Sequence, residues 1–184
     1  MKRAIYPGTF DPVTNGHLDL VKRAVRIFDE VIIAVAPSYR KKPLFTLDER
    51  LDLINRAVRS IEKVKVESFD GLLVRYVKKK KGSAILRGLR AISDFETELQ
   101  MAHMNRSLDN DIETVFMMPS EEYGFITSTV IKEVASFGGS VRDYVPEEVE
   151  AALREKFKAG FETPAWRKVG MYGTQRTSRP APVR

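Results

Sequence analysis

With 184 residues, 43% of them hydrophobic and 30% charged, the chain has the size of one globular domain plus a short appendage and is too short for two full domains. Its net charge is +6, but from Phe161 onward five basic residues face Glu162 alone; about +2 is left for the first 160 residues, which demands no nucleic-acid partner. The lack of cysteine excludes disulfides, thiolate nucleophiles and Cys-based metal sites, and the longest apolar run, Val31 to Ala36, is far short of the roughly 20 residues of a membrane span, so a cytoplasmic protein without a membrane partner is expected.

Short β-branched runs alternate with amphipathic stretches along the first 160 residues. Arg3 to Tyr6 reads as a strand, and Gly16 to Phe28 as a helix whose apolar face carries Leu18, Val21, Val25 and Phe28. Val31 to Val35 is the second strand. A capping box, Thr46 with Glu49, opens the helix Leu47 to Ile61, in which hydroxyl and carboxylate satisfy backbone donors reciprocally. Val64 to Val66, the short helix Leu72 to Lys80, and the strand Ala84 to Leu86 follow. Ser93 and Glu96 form a second capping box, Thr114 to Met117 is the fifth strand, and Thr127 to Phe137 and Pro146 to Lys158 close the series as helices. The strands are apolar on both faces, as buried parallel strands are. The expected fold class is α/β, a doubly wound parallel five-stranded sheet. Beyond Gly160 the apolar period stops among Pro164, Gly170, Gly173, Pro180 and Pro182. Residues 161–184 are therefore expected to be a flexible basic tail, a non-native appendage to the domain of residues 1–160.

Open parallel sheets bind ligands beyond the carboxyl ends of their strands, and polar residues gather there in this sequence. The first strand runs into Tyr6-Pro-Gly-Thr-Phe-Asp-Pro-Val-Thr-Asn-Gly-His17, which ends at a helix N-terminus with free N–H groups and a positive dipole. Thr14 or Asn15 is the candidate cap, and His17 falls in the first turn. There is no Walker loop and no Gly-x-Gly-x-x-Gly, so phosphate must find other cations. Arg40, Lys41 and Lys42 follow the second strand and Arg87-Gly-Leu-Arg90 the fourth, while Thr127, Ser128 and Thr129 open a helix after the fifth. Either cationic cluster alone reads first as a solvated loop, and the hydroxyl triplet also reads as an ordinary cap; together, at one end of one sheet, they favour an oxyanion site. The Lys78 to Lys81 run reads as a solvated helix end.

The stretch from Tyr6, Arg87-Gly-Leu-Arg-Ala, Glu98-Leu-Gln-Met-Ala-His-Met-Asn105 and Ile126-Thr-Ser-Thr-Val-Ile-Lys-Glu133 together resemble bacterial phosphopantetheine adenylyltransferases over about residues 1–160. The first of these motifs belongs to the wider nucleotidyltransferase superfamily with a Thr/His-x-Gly-His signature. Lys41-Lys-Pro-Leu-Phe-Thr46, Asp70-Gly-Leu-Leu73 and His103-Met-Asn-Arg106 complete the likeness. The resemblance implies a Rossmann-like nucleotidyltransferase fold and transfer of AMP from ATP to 4'-phosphopantetheine, yielding dephospho-coenzyme A and pyrophosphate in coenzyme A biosynthesis. It implies His17, Lys41 and Arg90 as catalytic. It implies ATP contacts at Thr9, Phe10, His17, Gly88, Leu89, Arg90, Glu98, Tyr123, Thr127, Ser128 and Thr129. Acceptor contacts would come from Thr9, Lys41, Leu73, Arg87, Met104 and Asn105. It further implies Mg²⁺ carried by the ATP phosphates, coenzyme A as feedback inhibitor and a homohexamer. Thr97, the Tyr123-Gly124 pair and the Thr127 to Thr129 triplet depart from the family pattern, with hydroxyls retained in the triplet. The alternatives are nucleotidyl transfer to nicotinate mononucleotide or glycerol 3-phosphate, and a non-catalytic nucleotide- or RNA-binding protein.

Overall fold

A computed structural model describes residues 1–38, 42–90 and 92–158, without the side chains of 92–94. Arg40, Lys41 and the segment from Gly160 onward thus lie outside the described residues, as does the Ser93 side chain of the expected capping box, although the Ser93 backbone is already inside a helix that begins at Ile92 and so is not its cap.

Five strands form one parallel sheet: β1 (Arg3–Gly8), β2 (Glu30–Val35), β3 (Val64–Ser68), β4 (Ala84–Gly88) and β5 (Glu113–Met117), in the order β3-β2-β1-β4-β5. The helices are α1 (Asn15–Ala24), α2 (Leu47–Val58), α3 (Leu73–Lys79), α4 (Ile92–Leu108), α5 (Ser128–Ser136) and α6 (Glu147–Lys156), with a 3₁₀ turn at Glu121–Tyr123. The chain winds outward from β1 through β2 to β3, then crosses back to β4 on the other side. That is the doubly wound α/β arrangement expected, with its switch point between β1 and β4.

Strand order explains a difference from the sequence reading. β2, in the middle of its half of the sheet, is buried at every residue, whereas the edge strands β3 and β5 are partly exposed along most of their length. Apolar composition alone does not distinguish a central strand from an edge strand. The crossover helices are shorter than their apolar patterns suggest; α1 ends at Ala24, and Ile27 and Phe28 continue as a turn whose N–H groups both reach Ala24 O at 2.9 Å. At the end of α3, Lys78 meets Asp109, and Lys80 pairs with Glu67 under the ring of Tyr76.

The larger core packs Tyr6, Leu20, Ile33, Leu53, Leu86 and Leu153 between the sheet and α1, α2, α5 and α6. A second cluster, with Ile5, Ile32, Val74, Val77 and Ile85, lies on the opposite face beneath α3. Side chains of alternate residues in β1, β2 and β4 therefore enter different cores, which fixes the register of the strands and the place where their loops emerge.

Candidate active site

The crevice opens where the β1–β4 ladder stops. Their register runs through Ala4↔Ala84 and Ile5↔Ile85 and goes no further, although both strands continue. Pro7 gives a chemical reason. Its carbonyl faces β4, accepting from Arg87 Nη1 at 3.1 Å, and its nitrogen has no hydrogen to continue the ladder on that side. An arginine side chain thus stands where strand pairing would otherwise continue.

Above this gap lies a cavity of about 500 Å³, lined by the loops after β1, β2, β4 and β5 and by the start of α5. Among the described residues, four cationic side chains, Lys42, Arg87, Arg90 and Lys132, line it against two carboxylates, Asp11 and Glu98. That balance suits a polyanionic ligand.

On the β1 wall the histidine is held by hydrogen bonds within one turn of chain. Thr14 caps α1, and His17 completes a reciprocal box: Thr14 Oγ1 accepts from His17 N at 3.4 Å, and Thr14 N donates to His17 Nδ1 at 3.0 Å. A backbone N–H can only donate, so Nδ1 is the acceptor and the neutral ring carries its proton on Nε2. Phe10 packs edge-on against His17 at 5.1 Å and against Tyr6 at 5.3 Å. Enclosure by these rings lowers the His17 pKa to about 4, with the positive charge of Arg90 adding to the effect. The imidazole is therefore neutral at physiological pH and offers an Nε2–H donor.

The backbone at this wall is tightly constrained. Phe10 takes φ of 50°, a left-handed conformation unfavourable for an aromatic residue. That turn folds its ring over Gly8, where an added Cβ would lie 2.9 Å from the ring. Arg50, 2% exposed, braces the loop from below by donating Nη1 to Thr9 O at 2.7 Å and to Ala36 O at 2.9 Å.

On the β4 wall a cation is held by a carboxylate. Arg87 makes a two-point contact with Glu98, Nε to Oε2 at 2.6 Å and Nη2 to Oε1. Arg90 Nη1 points to Ile126 O at 3.5 Å. Gly88 lets α1 pack against this wall, because a Cβ there would come within 2.6 Å of Leu20 Cδ1. Across the cavity, Thr127 caps α5 by accepting from Val130 N at 3.1 Å, which leaves its hydroxyl proton to donate, while Ser128 Oγ donates to Pro12 O at 2.8 Å.

Of the residues singled out in the sequence, Thr9, Phe10, His17, Arg87, Gly88, Arg90, Glu98, Tyr123, Thr127, Ser128 and Thr129 line this one cavity. Leu89 stands beside it, its N–H bound to Met117 O at 3.0 Å. Leu73 packs into the second core, Asn105 is buried, and Met104 is exposed; these three are not among the lining residues. Lys42, offered by the sequence with Arg40 and Lys41 as a cation for phosphate, lines the cavity as well, and so do Asp11 and Lys132, which have no role in the sequence reading. The signal for Lys132 was its place four residues after Ser128, one helical turn further along α5.

A family model described as cytidylyltransferase-like matches residues 5–134. The phosphopantetheine adenylyltransferase of Thermodesulfovibrio yellowstonii is 61% identical over 158 residues, covering 85% of this chain and 98% of that protein. Its counterpart from Heliobacterium modesticaldum is 55% identical over 157 residues, 85% of this chain and 94% of that protein. Among solved structures, one titled as a putative nicotinate-nucleotide adenylyltransferase from Vibrio parahaemolyticus superposes with a TM-score of 0.62 at 16% identity, over 89% of this chain and 98% of that one, and supports the fold. The chain belongs to the phosphopantetheine adenylyltransferase family, within the cytidylyltransferase-like nucleotidyltransferases.

Proposed function

We propose that the protein transfers AMP from ATP to 4'-phosphopantetheine, releasing pyrophosphate and forming dephospho-coenzyme A in coenzyme A biosynthesis. The observation that carries this reading is the convergence of His17, Arg87, Arg90 and the Thr127–Thr129 hydroxyls on one cationic cavity at the sheet's switch point, in a chain 61% identical to a protein of that name. An oxygen of the acceptor phosphate attacks the α-phosphorus of ATP, the new P–O bond forms as the α–β bridging bond breaks, and the electron pair leaves with pyrophosphate. No enzyme nucleophile is required, so the protein acts by positioning and by stabilising charge.

In this reading the His17 Nε2–H donates to an oxygen on the α-phosphorus as negative charge grows there. Thr9 contacts both substrates, and Lys41 and Arg87 hold the acceptor phosphate. Arg90 and the Thr127, Ser128 and Thr129 groups take the β- and γ-phosphates. Phe10, Gly88, Leu89, Glu98 and Tyr123 hold the nucleotide, and Leu73, Met104 and Asn105 the pantetheine arm. Mg²⁺ would neutralise phosphate charge and be carried on the triphosphate, because the cavity carboxylates among the described residues are already engaged, Asp11 by Lys132 and Glu98 by Arg87. Coenzyme A, which shares the pantetheine arm, is the proposed feedback inhibitor. A homohexamer is the proposed assembly, supported by the exposed Met101, Met104 and Leu108 along α4. The proposed location is the cytoplasm; among the described residues no helix is long and apolar enough to cross a membrane.

Pyrophosphate release measured with ATP, Mg²⁺ and a panel of acceptors tests the assignment. Turnover with 4'-phosphopantetheine is expected. Turnover confined to nicotinate mononucleotide or glycerol 3-phosphate would replace the acceptor, and binding without turnover on any acceptor would make the protein a nucleotide-binding one.

A further inference from the structure

Asp11 has a position that its motif does not explain. It is 5% exposed, and donors from two distant parts of the chain converge on it. Leu44 N reaches Oδ2 at 3.0 Å, Phe45 N reaches Oδ1 at 2.9 Å, and Lys132 Nζ pairs with Oδ2. One carboxylate thereby ties together the loop after β1, the segment that bears Lys42, and α5. Arg50 supports the same junction through Thr9 O and Ala36 O, and its guanidinium lies close enough to feel the charge of Asp11.

Two amide donors could be satisfied by a neutral acceptor, without the cost of burying a charge. The anion adds a fixed place for a flexible lysine that lines the cavity. The Leu44 and Phe45 contacts likewise fix the chain immediately after Lys42, on the far side of the same cavity.

We infer that Asp11 is a positioning residue for the transfer reaction, setting the Lys42 segment and the Lys132 ammonium against the Thr9–His17 loop before substrates bind. The link to turnover rests on the function proposed above; the link to the Leu44 and Phe45 backbone does not.

Two variants of the full chain test it. Asp11→Asn keeps the size but removes the charge and one acceptor; Asp11→Glu keeps the charge and displaces it by one methylene. For each, kcat, the KM of both substrates and native-state exchange at the Leu44 and Phe45 amides would be measured. Both variants are expected to lose about tenfold to a hundredfold in kcat with KM for ATP within about threefold, because positioning acts on the reacting geometry more than on ground-state binding. The two amides should lose protection while those of β1 and β2 keep theirs. Parental kcat in Asp11→Glu, or protection lost equally from the strands, would reduce Asp11 to a structural acid and overturn the inference. If the parent protein turns over no acceptor, the proposed function fails; unchanged protection at Leu44 and Phe45 in both variants would then separately overturn the role of Asp11.

Discussion

The two walls of the cavity are built on different principles. On the β1 wall the proposed donor is fixed by short-range bonds: Thr14 caps α1, orients His17 and selects its tautomer within one turn of chain. On the β4 wall Arg87 is placed by another charge, Glu98 eleven residues further on, and Arg90 points to the Ile126 carbonyl. A neutral donor can be locked in advance without repelling other cations. Guanidinium groups proposed to receive phosphate are held by contacts that phosphate could replace. The first wall should therefore govern the chemical step, and the second the binding of anionic substrates.

The largest effect that would sharpen this contrast is expected from His17→Ala. It should lower kcat by about 10²–10³, as for loss of an oxyanion donor, and leave ATP affinity within about threefold; single-turnover kinetics with calorimetric ATP binding separates the two. A large loss of affinity with little change in kcat would erase the distinction between the walls.

Arg87→Lys is expected to act the other way. Replacing a planar fork with a point charge should raise the KM for 4'-phosphopantetheine about tenfold and change kcat less. Steady-state titration of the acceptor at saturating ATP checks it.

Thr14→Ala removes the cap and one of the two groups at His17 Nδ1. A loss of about 1 kcal/mol in unfolding free energy is expected, together with a fall in kcat of a few fold, smaller than for His17→Ala because the Thr14 N–H remains. Chemical denaturation and kinetics on the same preparation check both parts.

The smallest effect concerns pH. The folded-state pKa of His17 is lowered to about 4 from the model-peptide 6.5. Between these values the unfolded chain binds a proton that the folded chain does not, so this residue's contribution to stability is absent at acid pH and grows as pH rises through the window. Nitrogen NMR of the unliganded protein should find His17 neutral, protonated on Nε2, down to pH of about 4 to 5. The slope of stability against pH over that window should flatten in His17→Gln.

The elements that could be read from the sequence are those whose cause is local. Thr46 and Glu49 form the capping box expected of them, with bonds of 2.8 and 3.2 Å, because donor and acceptor are three residues apart. The Thr14–His17 box was half legible: Thr14 was a candidate cap, but an imidazole in place of the usual Glu or Gln gave no such signal. The bonds of Asp11 span 33, 34 and 121 residues and leave no periodic trace. The exposure of β3 and β5 depends on strand order, which composition does not encode. Leu73, Met104 and Asn105 came from resemblance alone, and no local chemistry in the sequence ties them to the cavity.

The most direct measurement is a crystal structure of the protein with dephospho-coenzyme A. Its bridging phosphates are expected within hydrogen-bonding distance of His17 Nε2, with Arg87 toward the pantetheine side and the N-terminus of α5 where pyrophosphate leaves. A diphosphate bound away from His17, outside the gap between β1 and β4, would contradict the account.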